Sequence, residues 1–255
     1  MERFGHLRGI IPLAALVALW EIVTRFNLIP GRFFLPPFTV VLQELFYMTI
    51  SGVLLNHLLR SLIRVLVGFL AGSALGIMVG IMMGYSKVMD EALNPIISLL
   101  YPIPAMGWLP LLMLWIGIGE ALPITIIFIC SFFPVAYATA TGIKSVDKKL
   151  IKAAETLGAS PRTILTTLVL PLALPTIFTG LRLEAGMAWR VIIAAEMIAI
   201  PTGIGALFMQ AESLIRTDII IVCLIVLAVM SFSFEKVFQY LESKLCRWAK
   251  HFDES

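Results

Sequence analysis

"KKLIKAAETLGASPRTI", residues 148–164, interrupts a very apolar chain. Long apolar runs lie on both sides of it, yet it carries Lys148, Lys149, Lys152, Arg162 and a glutamate, with a glycine placed as in a turn. Leu150, Ile151, Ala154 and Leu157 fall at i, i+1, i+4 and i+7, which is one face of a helix. Asp147 stands at an N-cap position. Gly158 stands where a helix ends in the left-handed conformation. Ser160 and Pro161 read as the cap and first residue of a second helix that runs to Leu170. A basic loop accounts for the lysines. It does not account for an apolar stripe, two alanines and a capped turn on one exposed element, which together predict a protein partner.

The surroundings of that element are membrane-like. Of 255 residues, 60% are hydrophobic and 14% charged, and the mean hydropathy is +0.98. Soluble domains carry about 25% charged residues, so an integral membrane protein is expected. The net charge of +3 is small, and no basic patch interleaved with aromatics points to nucleic acid. Cys130, Cys223 and Cys246 are scattered, with neither a disulfide framework nor metal-ligand spacing. His6, His57 and His251 are far apart and read as surface or interfacial residues. The start of the chain has Arg3 and Arg8 before an apolar run ending at Trp20-Glu21, with no small-residue cleavage pattern. It reads as a retained first membrane helix.

Six spans of about 20 residues can be drawn: 9–27, 62–84, 96–117, 121–141, 172–199 and 217–238. The expected fold is all-α and polytopic, one transmembrane domain over 1–255. With the N-terminus inside, the inner segments hold Arg3, Arg8, Lys87, Lys144, Lys148, Lys149, Lys152, Arg162, Lys236, Lys244, Arg247 and Lys250. The outer ones hold Arg25, Arg32, Arg60, Arg64 and Arg216. This bias puts both termini in the cytoplasm.

Within the second span, Gly68, Gly72, Gly76, Gly80 and Gly84 recur every fourth residue. Such a stripe lets another helix backbone approach closely in lipid, either within the chain or between subunits. Pro95, Pro102, Pro104 and Pro110 mark the third span. It bends beside a pathway or is a kinked packing helix. Segment 33–61, with Val41, Leu45 and Met48 at helical spacing, reads as an amphipathic helix at the outer interface. Segment 201–218 reads as an outer re-entrant or surface helix. The fifth span carries Arg182, Glu184, Arg190 and Glu196, residues that in lipid face a bundle interior or a cavity. Arg182, Trp189 and Glu196, at i, i+7 and i+14, share one face. These residues line a translocation path or pair internally.

The turn also carries a family resemblance. Lys152-Ala153-Ala154, three residues, Gly158, nine residues and Leu168-Val169-Leu170-Pro171 resemble the cytoplasmic motif of membrane subunits of binding-protein-dependent ABC importers. That motif begins with glutamate where this chain has Lys152. "SLIRVLVGFLAGSALGIMVGIMMG" (61–84), "PIPAMGWLPLLMLWIGIGE" (102–120), "FFPVAYATATGIKSVD" (132–147) and "LPTIFTGLRLEAGMAWRVIIAAEM" (174–197) look like the permeases of sulfonate, taurine and nitrate importers. The resemblance covers nearly the whole chain and implies a type I ABC importer permease fold in a bacterial or archaeal plasma membrane. It further implies two permease copies forming a channel, two cytosolic ATPase subunits and an extracytoplasmic substrate-binding protein. The solute would be small and anionic, moved by alternating access. Under it, the loop at about 142–171 couples to the ATPase through Lys152, Ala153, Ala154, Glu155, Gly158, Ala159 and Pro161.

No catalytic constellation or metal site is expected, and the subunit is read as non-catalytic. A phosphate loop G-x-x-x-x-G-K-[ST] is absent, "GIKS" at 142–145 lacking its leading glycine and Gly-Lys pair. No cofactor is expected on this chain, since ATP and Mg would belong to the partner subunit. A stand-alone secondary transporter or channel is the alternative. It predicts inverted repeats or a run of intramembrane charges, and the sequence has neither.

Overall fold

Helix follows helix along the computed structural model, which describes residues 3–26 and 35–246; the side chains of residues 3–10 and of Leu13 lie outside that description. The elements are α1 (Arg3–Arg25), α2 (Phe38–Ile50), α3 (Val53–Tyr85), α4 (Lys87–Leu100), α5 (Ala105–Ile116), α6 (Ala121–Lys144) and α7 (Lys148–Thr156). Then come α8 (Pro161–Thr163), a π-helical stretch (Ile164–Val169), α9 (Leu170–Ala199), α10 (Ile204–Ser213) and α11 (Thr217–Leu245). Four helical runs are long and apolar enough to cross a membrane: Val53–Tyr85, Ala121–Lys144, Pro161–Ala199 and Thr217–Leu245. The pair α4 and α5, bent by 98°, makes a fifth. The first of the six expected spans falls on α1, which is not one of these runs among the described residues. Arg32, Arg247, Lys250 and His251, and the side chains of Arg3, His6 and Arg8, lie outside the described residues.

Two span boundaries differ from expectation. The second span begins at Val53, so Arg60 and Arg64 lie inside α3 and not in an outer loop. Helix α2 ends at Ile50, shorter than the amphipathic segment read from the sequence, with Val41 and Met48 on its buried side. Glu21 of α1 caps it, accepting from Thr39 N at 3.1 Å and Thr39 Oγ1 at 3.0 Å. An anion at a helix N-terminus satisfies a donor that has no intrahelical partner.

The second helix of the opening stretch does not stop at Leu170. It runs unbroken from Pro161 to Ala199, 39 residues. Prolines at 171 and 175 sit within this run and withhold N–H groups from the carbonyls one turn back. Ahead of them the helix widens to π geometry over Ile164–Val169. Thr166 and Thr167 donate their hydroxyls to the carbonyls of Arg162 and Thr163, at 2.9 and 2.7 Å.

The glycine stripe is where α3 meets α6. A Cβ on Gly72 would stand 2.5 Å from the Phe128 carbonyl oxygen, and one on Gly80 2.5 Å from Thr139 Cβ. Gly68, Gly76 and Gly84 meet Ile127, Val135 and Ile143 in the same way. Association in lipid rests on such close packing, because the tails are as apolar as the side chains. Of the two readings of the stripe, packing within the chain is the observed one. The core continues from this pair to α9, whose Ala185, Ala188, Trp189, Ile192 and Ala195 are buried.

The third span is broken at Tyr101–Pro104. Pro102 and Pro104 cannot donate to the ladder, and the chain turns sharply before α5 begins. The break opens on a cavity of about 360 Å³ between α5, α6 and α9.

Candidate functional site

Asp147 caps α7 as its spacing predicts, accepting from Lys149 N at 2.8 Å. Leu157 N and Gly158 N close the helix on the carbonyls of Ala153 and Glu155. Gly158 has φ +83°, a left-handed conformation that glycine adopts without a Cβ penalty. Ala159 N then bonds the Ala154 carbonyl at 3.0 Å. Ser160 Oγ accepts from Thr163 N at 3.2 Å, with Pro161 as the first helical residue. The turn is therefore fixed on both sides by hydrogen bonds.

Its apolar stripe is divided. Ile151, Ala154 and Ala159 pack against the chain's own core, whereas Leu150 and Leu157 are exposed, Leu157 to 88%. No residue of α7 is buried. The exposed face presents Lys148, Lys149, Leu150, Lys152, Ala153, Glu155 and Leu157. None of the four charged groups forms an ion pair among the described residues. Tyr85 Oη at the end of α3 donates to the Pro161 carbonyl at 3.1 Å. Lys144 at the end of α6 pairs with Asp90 of α4. The element projects from braced helix ends.

The five polar residues of the fifth span do not form one site. Arg182 Nη1 donates to Glu242 Oε2 of α11 at 3.3 Å. Trp189 is buried edge-on against Phe234, ring centroids 5.4 Å apart, and its Nε1 has no hydrogen-bond partner among the described residues. Arg190 is exposed, with Nη1 3.6 Å from Met187 Sδ, and lines a cavity of about 520 Å³ with Trp189 and Glu235. Glu184 lines the other cavity, beside the proline break. Glu196 is fully buried. Arg182, Trp189 and Glu196 do share a helical face, but the partner changes along it. Arg182 and Trp189 meet α11, while Glu196 meets α3 and α10. Internal pairing is thus observed for Arg182 and Glu196, and cavity lining for Glu184 and Arg190.

The partner of Glu196 is Arg64, which charge placement assigns to the outer segments although residue 64 falls at the start of the 62–84 span. Arg64 Nη1 donates to Glu196 Oε1 at 2.7 Å and to the Thr202 carbonyl at 2.7 Å. Nε and Nη2 clasp Glu120 at 2.7 Å each, and Nη2 also reaches Thr202 Oγ1 at 2.7 Å. All five guanidinium N–H groups are used. Ser61 Oγ, 2.8 Å from Glu196, accepts from Ile204 N at 2.9 Å, and Gly205 N donates to Glu196 at 3.0 Å. His57 joins this region, its Nδ1 2.9 Å from the Gly203 carbonyl oxygen and 3.1 Å from Gly203 N. It is not simply a surface residue. The available signal is charge balance: a buried carboxylate in a span calls for a cation, and Arg64 is a cation inside the 62–84 span. Glu120 is 58% exposed. Its hydrogen bonds from Arg64 outweigh partial burial and hold its carboxyl below the ordinary 4.5. Nearby, Arg216 bridges Asp218 at 2.7 Å and Glu44 at 3.1 Å. Asp218 chiefly raises its pKa further above the ordinary arginine value.

A bundle of apolar helices with a broken third span, cavities flanking α9 and an exposed, capped turn between α6 and α9 defines a polytopic transport subunit. Residues 72–247 match the family described as "Binding-protein-dependent transport system inner membrane component", and the chain belongs to it. It is a permease component of a binding-protein-dependent ABC importer, a multi-pass inner-membrane protein. The taurine transport system permease protein TauC of Escherichia coli K12 is 39% identical over 243 residues, covering 92% of this chain and 87% of that one. A putative ABC transporter permease protein of Methanocaldococcus jannaschii is 42% identical over 167 residues, 65% of this chain and 62% of that protein. The fold is similar to a chain in the crystal structure of an amino acid ABC transporter with histidines. That match has a TM-score of 0.62 at 18% identity and covers 78% of this chain and 96% of that one. Family membership supports the importer reading and not a stand-alone transporter or channel.

Proposed function

We propose that two copies of this chain form the membrane channel of an ATP-driven importer for a small, anionic, sulfonate-, nitrate- or taurine-like solute. Two cytosolic ATPase subunits bind the exposed face of α7, and an extracytoplasmic binding protein delivers the solute. Both termini then lie in the cytoplasm, in keeping with the lysines of the 142–171 loop. The observation that carries the reading is mechanical. An unburied, capped helix is joined through a glycine at φ +83° to the longest membrane run, Pro161–Ala199.

ATP, with its Mg, closes the partner ATPases and draws α7 with them. The turn passes that motion to α9, which flanks both cavities, and the cavities open alternately to the two sides. Ala153 keeps the contact close, Ala154 and Ala159 seat the turn on the chain's own core, Gly158 and Pro161 fix the angle, and Lys152 and Glu155 add polar contacts. With Lys152 in place of an acid, the matching ATPase groove is expected to offer a carboxylate there.

Gly158→Val tests the lever. Its Cβ would meet nothing within 4 Å, so the only damage is to the backbone angle. Copurification with the ATPase, or substrate-stimulated ATP hydrolysis in proteoliposomes, is expected to be lost. Wild-type stimulation in that variant would overturn the reading. Gly158→Asn, which tolerates the left-handed region, is expected to retain most of the activity.

A further inference from the structure

The cavity at the proline break holds a carboxylate with no counter-charge among the described residues. Glu184 has no hydrogen bond or ion pair among the described residues, whereas Glu196, on the same helix, is paired with Arg64 and accepts from Ser61 and Gly205. An ionised group at membrane depth faces water or a partner of opposite charge. The rest of the lining is aromatic and apolar, and includes Tyr101, Trp108, Phe133 and Met187. Aromatic rings around one carboxylate favour an organic ammonium, through charge and through the ring quadrupoles. No arginine lines it among the described residues, and Arg190 borders the other cavity.

We propose that this cavity is a binding site for the positively charged amine of the transported solute, with Glu184 as its counter-ion. The inference rests on the importer reading and narrows it: the solute is a zwitterion, such as an aminosulfonate, and not a simple anion. The sulfonate end is left to other groups.

Cys130 lines the same cavity and lies within electrostatic reach of Glu184, so it can report the charge there. In membrane vesicles of the full-length chain with Cys223 and Cys246 replaced by alanine, Cys130 is labelled with methanethiosulfonates. One reagent carries an ethylammonium, the other an ethylsulfonate, and each rate is normalised to that with a free thiol. The cationic reagent is expected to react more than about tenfold faster, and Glu184→Gln to bring the ratio near one. If that variant fails to insert, acidifying the parent chain far enough to protonate a carboxylate is expected to collapse the ratio instead. A ratio near one in the parent, a ratio that persists in Glu184→Gln, or no labelling with or without nucleotide overturns the proposal. A ratio that rises only in Arg190→Ala would assign Glu184 to an ion pair with a second copy, and overturns it too. Labelling requires no ATPase, so its failure leaves the importer reading standing. Failed ATP-driven uptake beside a preserved ratio would instead sink that reading.

Discussion

At the scale of single residues, the strongest constraint is the guanidinium of Arg64 between two carboxylates. Removing one member of a buried pair costs about 3–5 kcal/mol, because the other is left uncompensated. The two removals differ here. Glu196→Ala leaves Arg64 its bidentate contact with Glu120, whereas Arg64→Ala leaves Glu196 buried with only Ser61 and Gly205 as donors. Arg64→Ala is expected to lower the thermal midpoint of the purified protein more than Glu196→Ala. The reverse order would show that Glu120 does not hold Arg64. Charge balance calls for a cation beside Glu196, but which one was not legible in the sequence, since residues 64 and 196 are 132 positions apart and helical periodicity reports only neighbours on one helix. Gly158 was legible because its cause is local: a cap, a helix end and a second cap lie within a few residues.

Among the elements, the contact of α3 with α6 is set by the glycine stripe. The period of four told that a backbone approaches this face, but not which backbone. The contact with Phe128 and Thr139 answers that. Gly72→Ala and Gly80→Ala each place a Cβ 2.5 Å from a neighbouring atom. Each is expected to cost about 1–3 kcal/mol by overpacking, read as a lowered midpoint in detergent. Gly119→Ala, with nothing within 4 Å of the new Cβ, is the matched control and is expected to be neutral. The proline break in α4–α5 was legible as a bend, because a missing N–H is a property of the residue. Its angle and the cavity beside it were not. The division of the α7 stripe was also hidden. Which part of an amphipathic face meets the chain's own core depends on where α9 stands.

For the whole molecule, the pairing of α3, α6, α9 and the 201–205 turn at one end of the bundle has a pH signature. Folding lowers the Glu120 carboxyl below 4.5, so protonation favours the unfolded chain. The stabilisation is complete above the unfolded value and is lost as pH falls through the lower, folded one. The thermal midpoint of the wild type is expected to drop between about pH 5 and pH 3 more steeply than that of Glu120→Gln. The effect is modest, since the carboxylate is 58% exposed and screened. Equal slopes would remove Glu120 from the account. By itself the sequence determined that the chain is a bundle of membrane helices with a capped, exposed turn between its fourth and fifth spans, because apolar length, caps and glycine angles are local properties. Only the tertiary structure decided which helix fills the glycine groove, that Arg64 neutralises Glu196, and that Glu184 faces the cavity at the proline break. Those are contacts between distant segments, fixed by how the helices pack.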